Sequence, residues 1–164
     1  MIVEEKVEIA TQRQSVCKEA YEWVGTPFHH AACVKGAGVD CGHVTITYEK
    51  ALGIKIPYPK YYSPQWHLHE LDTDTGKRFV EIYIEGAIAA GFFEITKEEA
   101  LPGDYVLSKI GRTFCHGGVI VGWPYVIQAE SSPLGAGKVV KANANANWFL
   151  SRRALKFFSY KGWH

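Results

Sequence analysis

Apolar positions early in the chain recur at helical spacing, and those late in the chain fall into short runs bounded by glycine and proline. Val7, Ala10, Val16, Ala20, Trp23 and Val24 form a loose stripe among charged residues. That stripe predicts a helix over 5–24, stopped by Gly25-Thr26-Pro27. Phe28 to Val39, which includes Gly36 and Gly38, reads as a loop. Asp40 is placed to cap a second helix that starts near Cys41 and closes at Gly53. Its apolar positions are Val44, Ile46, Tyr48 and Leu52, although the β-branched run Val44-Thr45-Ile46-Thr47 works against it. Residues 54–76 read as loop, with Pro57, Pro59 and Pro64 among Tyr61, Tyr62, Trp66, His67 and His69. A third helix is expected over 78–90, ended by Gly91. After the turn Leu101-Pro102-Gly103-Asp104 the pattern predicts five strands, over 105–109, 116–121, 125–129, 138–141 and 154–160. The Ala-Asn alternation at 142–147 reads as a turn. Helices first and antiparallel strands second indicate an α+β fold, with N-terminal helices packed on an antiparallel sheet of about five strands.

Composition narrows the classes of function. The chain has 164 residues, enough for one domain spanning 1–164. Its 18 basic and 17 acidic side chains give a net charge of +1, which leaves no basic stripe for nucleic acid. No apolar stretch is long enough to span a bilayer, so no membrane partner is expected. Met1 to Ala10 is too polar for a signal segment. The expected location is therefore cytoplasmic, or associated with a phage or prophage. Cys17, Cys33, Cys41 and Cys115 are then expected as reduced thiols.

Cys41 is the most informative position. At the start of a helix a thiol meets the positive end of the dipole and open backbone N–H groups, which favour thiolate and nucleophilicity. His116 begins the run His116-Gly117-Gly118-Val119, where the paired glycines leave space that a substrate backbone would need. Gln128 lies on the next predicted strand, where hairpin pairing brings it near His116 to orient the ring. Each residue alone is more simply read as structural: a buried cysteine, a satisfied histidine, an outward polar residue. Together they form a candidate nucleophile, base and orienting group.

Four segments then carry a resemblance. Gly25-Thr26-Pro27-Phe28, Gly36-Ala37-Gly38-Val39-Asp40-Cys41, Leu101-Pro102-Gly103-Asp104 and Cys115-His116-Gly117-Gly118-Val119 resemble, in order and spacing, the motifs of NlpC/P60 cysteine peptidases, and of the phage-type branch in particular. The resemblance implies a papain-like NlpC/P60 fold. It implies Cys41 as nucleophile, His116 as base and Gln128 as third polar residue, with no cofactor and no metal. It implies that Asp40, Phe28 and Gly117 contact substrate, Asp40 at the amino end of a peptide stem. The expected reaction is cleavage of the γ-D-glutamyl-diamino acid amide in peptidoglycan stem peptides through a thioester. Phage tail proteins are a further partner that the phage-type branch suggests.

Two positions depart from that pattern. Phe28 stands where the family usually has Tyr, and Gly42 where it usually has Ser. Both leave open a non-catalytic wall-binding or phage-tail structural module, and an amidase or acyltransferase on another substrate. A metal site built from His29, His30, Cys33, Cys41 or His43 is not expected, since the spacing matches no usual zinc pattern.

Overall fold

The computed structural model describes residues 2–57, 71–73, 76–78 and 81–164. The helix α1 (Ile2–Glu22) is followed by a small hairpin, β1 (Cys33–Val34) with β2 (Gly38–Val39), and then by α2 (His43–Leu52). A second small hairpin, β3 (Leu71–Thr73) with β4 (Gly76–Arg78), precedes α3 (Ile82–Ala89). The remainder is β5 (Phe92–Ile95), β6 (Tyr105–Ile110), β7 (Thr113–Gly122), β8 (Tyr125–Ala129), β9 (Val139–Asn143) and β10 (Leu155–Tyr160).

These last six strands form one antiparallel sheet in the order β5-β10-β6-β7-β8-β9. The α+β reading holds, with one strand more than expected. The extra strand is β5, four residues that pair with the C-terminal β10. So short a run carries little periodic signal, and only its partner from the far end of the chain makes it a strand. The two small hairpins fall in segments read as loops, for the same reason. The third helix starts at Ile82, later than expected, since Gly76–Arg78 is in β4.

Alternation along the strands splits the interior into two layers. Leu107, Val119 and Ile127 face the helices and join Val16, Ala20, Val44 and Tyr48 in the main core. Val106, Ile120, Val126 and Phe157 face the other way and are covered by Ala144 and Leu150 from the 144–154 turns. The helix α1 is tied to the sheet at Arg13, whose guanidinium donates to Asp104 Oδ1 at 2.9 Å and lies 4.2 Å over the Trp163 ring. Asp104 is fully buried and also accepts from the Leu101 N–H and the Ser159 hydroxyl. The Pro-Gly-Asp turn is thus the buried anchor that holds α1 and the sheet together. The outer half of α1 does not pack as its stripe suggested: Val7 is 61% exposed, and only Val16 and Ala20 of this helix are buried.

Candidate active site

The helix α2 starts at His43, two residues later than expected, and its N-cap is Gly42, not Asp40. Cys41 sits in the turn just before it. Asp40 does cap this turn, from outside the helix: one carboxylate oxygen accepts the Gly42 N–H and the other the Ala31 N–H, each at 2.8 Å. These two bonds pin the chain on both sides of the cysteine. The Gly53 end is as expected, with φ 70° and its N–H on the Glu49 carbonyl. A residue with a Cβ would be strained there.

The turn sets Cys41 Sγ 3.4 Å from His116 Nδ1. His116 is carried by β7 opposite Ser108, next to a bulge that leaves Cys115 as the extra residue between the pairs at His116 and Phe114. Its other ring nitrogen, Nε2, lies 2.8 Å from Gln128 Oε1 on β8. Phe149 stacks on the imidazole with centroids 4.6 Å apart. The structure therefore brings together the three residues singled out for chemistry in the sequence.

Two residues that sequence reasoning missed decide the proton positions. The Gln128 amide nitrogen donates to Glu130 Oε1 at 2.8 Å and to Asn147 Oδ1 at 3.0 Å. Asn147 in turn donates to Glu130 and accepts the Phe149 N–H. A carboxylate can only accept, so the Gln128 NH₂ must point at Glu130 and its carbonyl oxygen at His116. Nε2 must then carry the imidazole proton, which leaves the Nδ1 lone pair aimed at the cysteine. The one available sequence signal was Glu130, two residues after Gln128 and just past the end of β8, where continued alternation keeps it on the Gln128 side. Asn147 lay inside a segment read only as a turn.

Electrostatically the pair is neutral at rest. Burial, reinforced by the Asp40 charge, pushes the Cys41 thiol up, and its own backbone N–H only partly opposes this. Burial also pushes His116 down to about 4, against its hydrogen bond to the Gln128 carbonyl oxygen and the charge of Glu130. The thiolate expected from a helix start is thus overruled: Cys41 precedes the helix, is only partly exposed, and has a carboxylate as its neighbour.

The expectation of open space at the paired glycines is corrected here. Gly117 is not open space for a substrate. It lies beneath α2, where a Cβ would come 2.7 Å from Leu107 Cδ2 and 3.6 Å from Val44 Cγ1. Its missing side chain leaves room for the Leu107 side chain of the neighbouring strand, with Val44 of α2 at ordinary contact distance. Gly118 likewise backs onto the Gln128 Cβ. Phe28 is half-buried, bridges Val39 through its backbone and packs against the main core. His43 is turned inward against Trp23, with centroids 5.9 Å apart. The aromatic and imidazole residues Tyr61, Tyr62, Trp66, His67 and His69 lie outside the described residues.

A groove of about 540 Å³ runs beside Cys41, walled by Asp40, Gly42, Thr45, Ile46, Glu49 and Lys55. Among solved structures, the chain is similar to the NlpC/P60 domain of the peptidoglycan hydrolase SagA. The TM-score is 0.57 at 19% identity, over 88% of this chain and 96% of that one. The fold is that of NlpC/P60 domains. A mutated form of the resuscitation promoting factor interacting protein RipA is similar too, with a TM-score of 0.57 and 17% identity. That match covers 94% of this chain and 64% of the RipA chain. No family model and no curated protein matches the sequence. What an NlpC/P60 domain shares with this chain is thus the backbone architecture, and the chemistry must be argued from the side chains above.

Proposed function

We propose that the chain is a cysteine hydrolase that cleaves the γ-D-glutamyl-diamino acid amide of peptidoglycan stem peptides. The observation that carries this reading is the Cys41 Sγ–His116 Nδ1 contact at 3.4 Å, with the tautomer fixed from behind by Gln128. The NlpC/P60 fold, shared with a domain of a peptidoglycan hydrolase, supports the choice of substrate.

The reaction begins from the neutral pair. Cys41 passes its thiol proton to His116 Nδ1 as the sulfur attacks the amide carbonyl. The imidazolium gives that proton to the amine nitrogen, the C–N bond breaks, and a thioester remains on the sulfur. Water then attacks the thioester carbonyl while His116 takes its proton. The acyl product leaves as a carboxylic acid, and the proton returns to the thiol. The Cys41 N–H is the donor we assign to the developing oxyanion. Asp40, in the groove wall, has the charge to receive the amino end of the stem. The test is release of the diamino-acid fragment from a γ-D-glutamyl peptide. The wild-type chain should release it, and Cys41→Ser and His116→Ala should each remove most of the activity. The double variant should be scarcely worse than either single, because the two act as a unit. Binding of the peptide without any product, unchanged in Cys41→Ser, would instead support a binding module.

A further inference from the structure

The 144–154 turns carry a second recess, of about 560 Å³, that the reaction above does not use. Trp148, Ser151, Arg152, Arg153 and Asn145 line it, with no carboxylate among the lining residues. Trp148 is 65% exposed. The Arg153 guanidinium lies 4.3 Å over its ring and donates from Nε to the Trp148 carbonyl at 3.0 Å. That holds the guanidinium against the indole through Nε, in a residue that lines the recess. Arg152 is exposed, and its side chain has no hydrogen bond or ion pair among the described residues.

Two features connect this recess to the dyad, and a third marks it as a candidate ligand site. Phe149, next to Trp148, stacks on His116. The positive charge of Arg153 is felt at His116, where it disfavours the imidazolium. The third is backbone strain. Among the described residues, the non-glycine residues held at positive φ are Ala31, at 57°, and Arg152, at 58°. Ala31 lines the groove beside Cys41, and Arg152 lines this recess. Such conformations are unfavourable for residues with a Cβ and tend to persist at ligand sites.

The charges also have a direction. On the Cys41 side the groove presents the buried carboxylate of Asp40; on the His116 side the recess presents two guanidiniums. In the proposed reaction His116 protonates the leaving amine, so the leaving fragment must lie on its side. We infer that Trp148, Arg152 and Arg153 form a subsite for the carboxylate of the leaving fragment, the free acid of the diamino acid whose amine is released. Arginine is suited to this, since its planar fork matches a carboxylate and its face can rest on an indole.

The inference rests on the hydrolase reading, and its test separates the two. Two substrates are compared, the γ-D-glutamyl-diamino acid with a free α-carboxylate and the same compound as its α-carboxamide. In the wild-type chain kcat/KM for the acid should exceed that for the amide by about tenfold or more, the scale of one charge-assisted contact. In Arg152→Gln/Arg153→Gln the ratio should fall to near one, and Arg152→Lys/Arg153→Lys should restore part of it. Equal cleavage of acid and amide by the wild type, or an unchanged ratio in the double Gln variant, would overturn the subsite. Should the wild type cleave neither, the hydrolase reading fails, and calorimetry with the two free leaving fragments decides the subsite. The diamino acid should then bind the wild type more tightly than its amide does, and the double Gln variant should not discriminate. A wild type that does not discriminate would overturn it.

Discussion

Cys41 and His116 face each other as thiol and imidazole, and this has consequences for how each can be probed. His116 is held down at about 4, so the neutral base that the reaction needs persists well below the usual imidazole range. The acid limb of kcat/KM should therefore fall near pH 4, two units or so below an ordinary histidine. A limb near 6.5 would show that water reaches the ring. The raised thiol reverses the usual alkylation order. Cys33 is exposed and Cys41 only partly so, and iodoacetamide at neutral pH should label Cys33 first. Peptide mapping after partial labelling reads this directly. Asn147 touches neither reacting atom, yet it holds the Gln128 amide in one orientation. Asn147→Ala should lower kcat about tenfold with little change in KM, and a flat pH profile through the neutral range should survive, since the base itself is intact.

At the scale of elements, the site depends on how closely α2 lies on β7. Gly117 lies at that junction, and a methyl group there meets Leu107 and the Val106 carbonyl of β6 at 2.7 and 3.1 Å, with Val44 of α2 at ordinary contact distance. Gly117→Ala should destabilise the fold by about 1–3 kcal/mol, as overpacking does, and lengthen the Cys41–His116 contact. Urea unfolding gives the first quantity, and loss of kcat at unchanged fold content gives the second. The other end of the arrangement is the Asp104 anchor. It is fully buried and paired with Arg13, whose side chain is 12% exposed, so removing the carboxylate leaves a cation nearly out of water. Asp104→Ala should cost about 3–5 kcal/mol.

Across the whole molecule, acid sensitivity follows from two buried histidines. Burial holds both His43 and His116 at about 4, below the ordinary value near 6.5. Between those values the unfolded chain binds protons that the folded chain does not, so stability rises with pH there. It is complete above the unfolded value and is lost as pH falls toward 4, by up to about 3 kcal/mol for each residue. Denaturation midpoints measured from pH 7 to pH 4 should show an uptake of about two protons on unfolding, and His43→Leu should reduce this to about one.

The amino-acid sequence by itself determined the class of fold, the order of its elements and three residues of the site. Helical spacing around Val16 and Ala20, alternation along the strands, and glycines at the breaks are local signals, and local signals need no partner to be read. Cys41, His116 and Gln128 stood out because their residue types, in that order, have few chemical uses together. The tertiary structure decided what depends on contacts between distant segments. The strand β5 exists because β10, from the far end of the chain, pairs with it. Gly117 looked like room for a substrate until the Leu107 side chain of β6 was seen to fill that room. The protonation of the pair is set by burial, which no pattern along a chain reports. Glu130 and Asn147 fix the imidazole tautomer only because the 144–154 turns fold back over β8, and the same turns bring Arg153 close enough for its charge to be felt at His116. A turn-forming composition announces that the chain bends, but where it lands is a property of the packed whole.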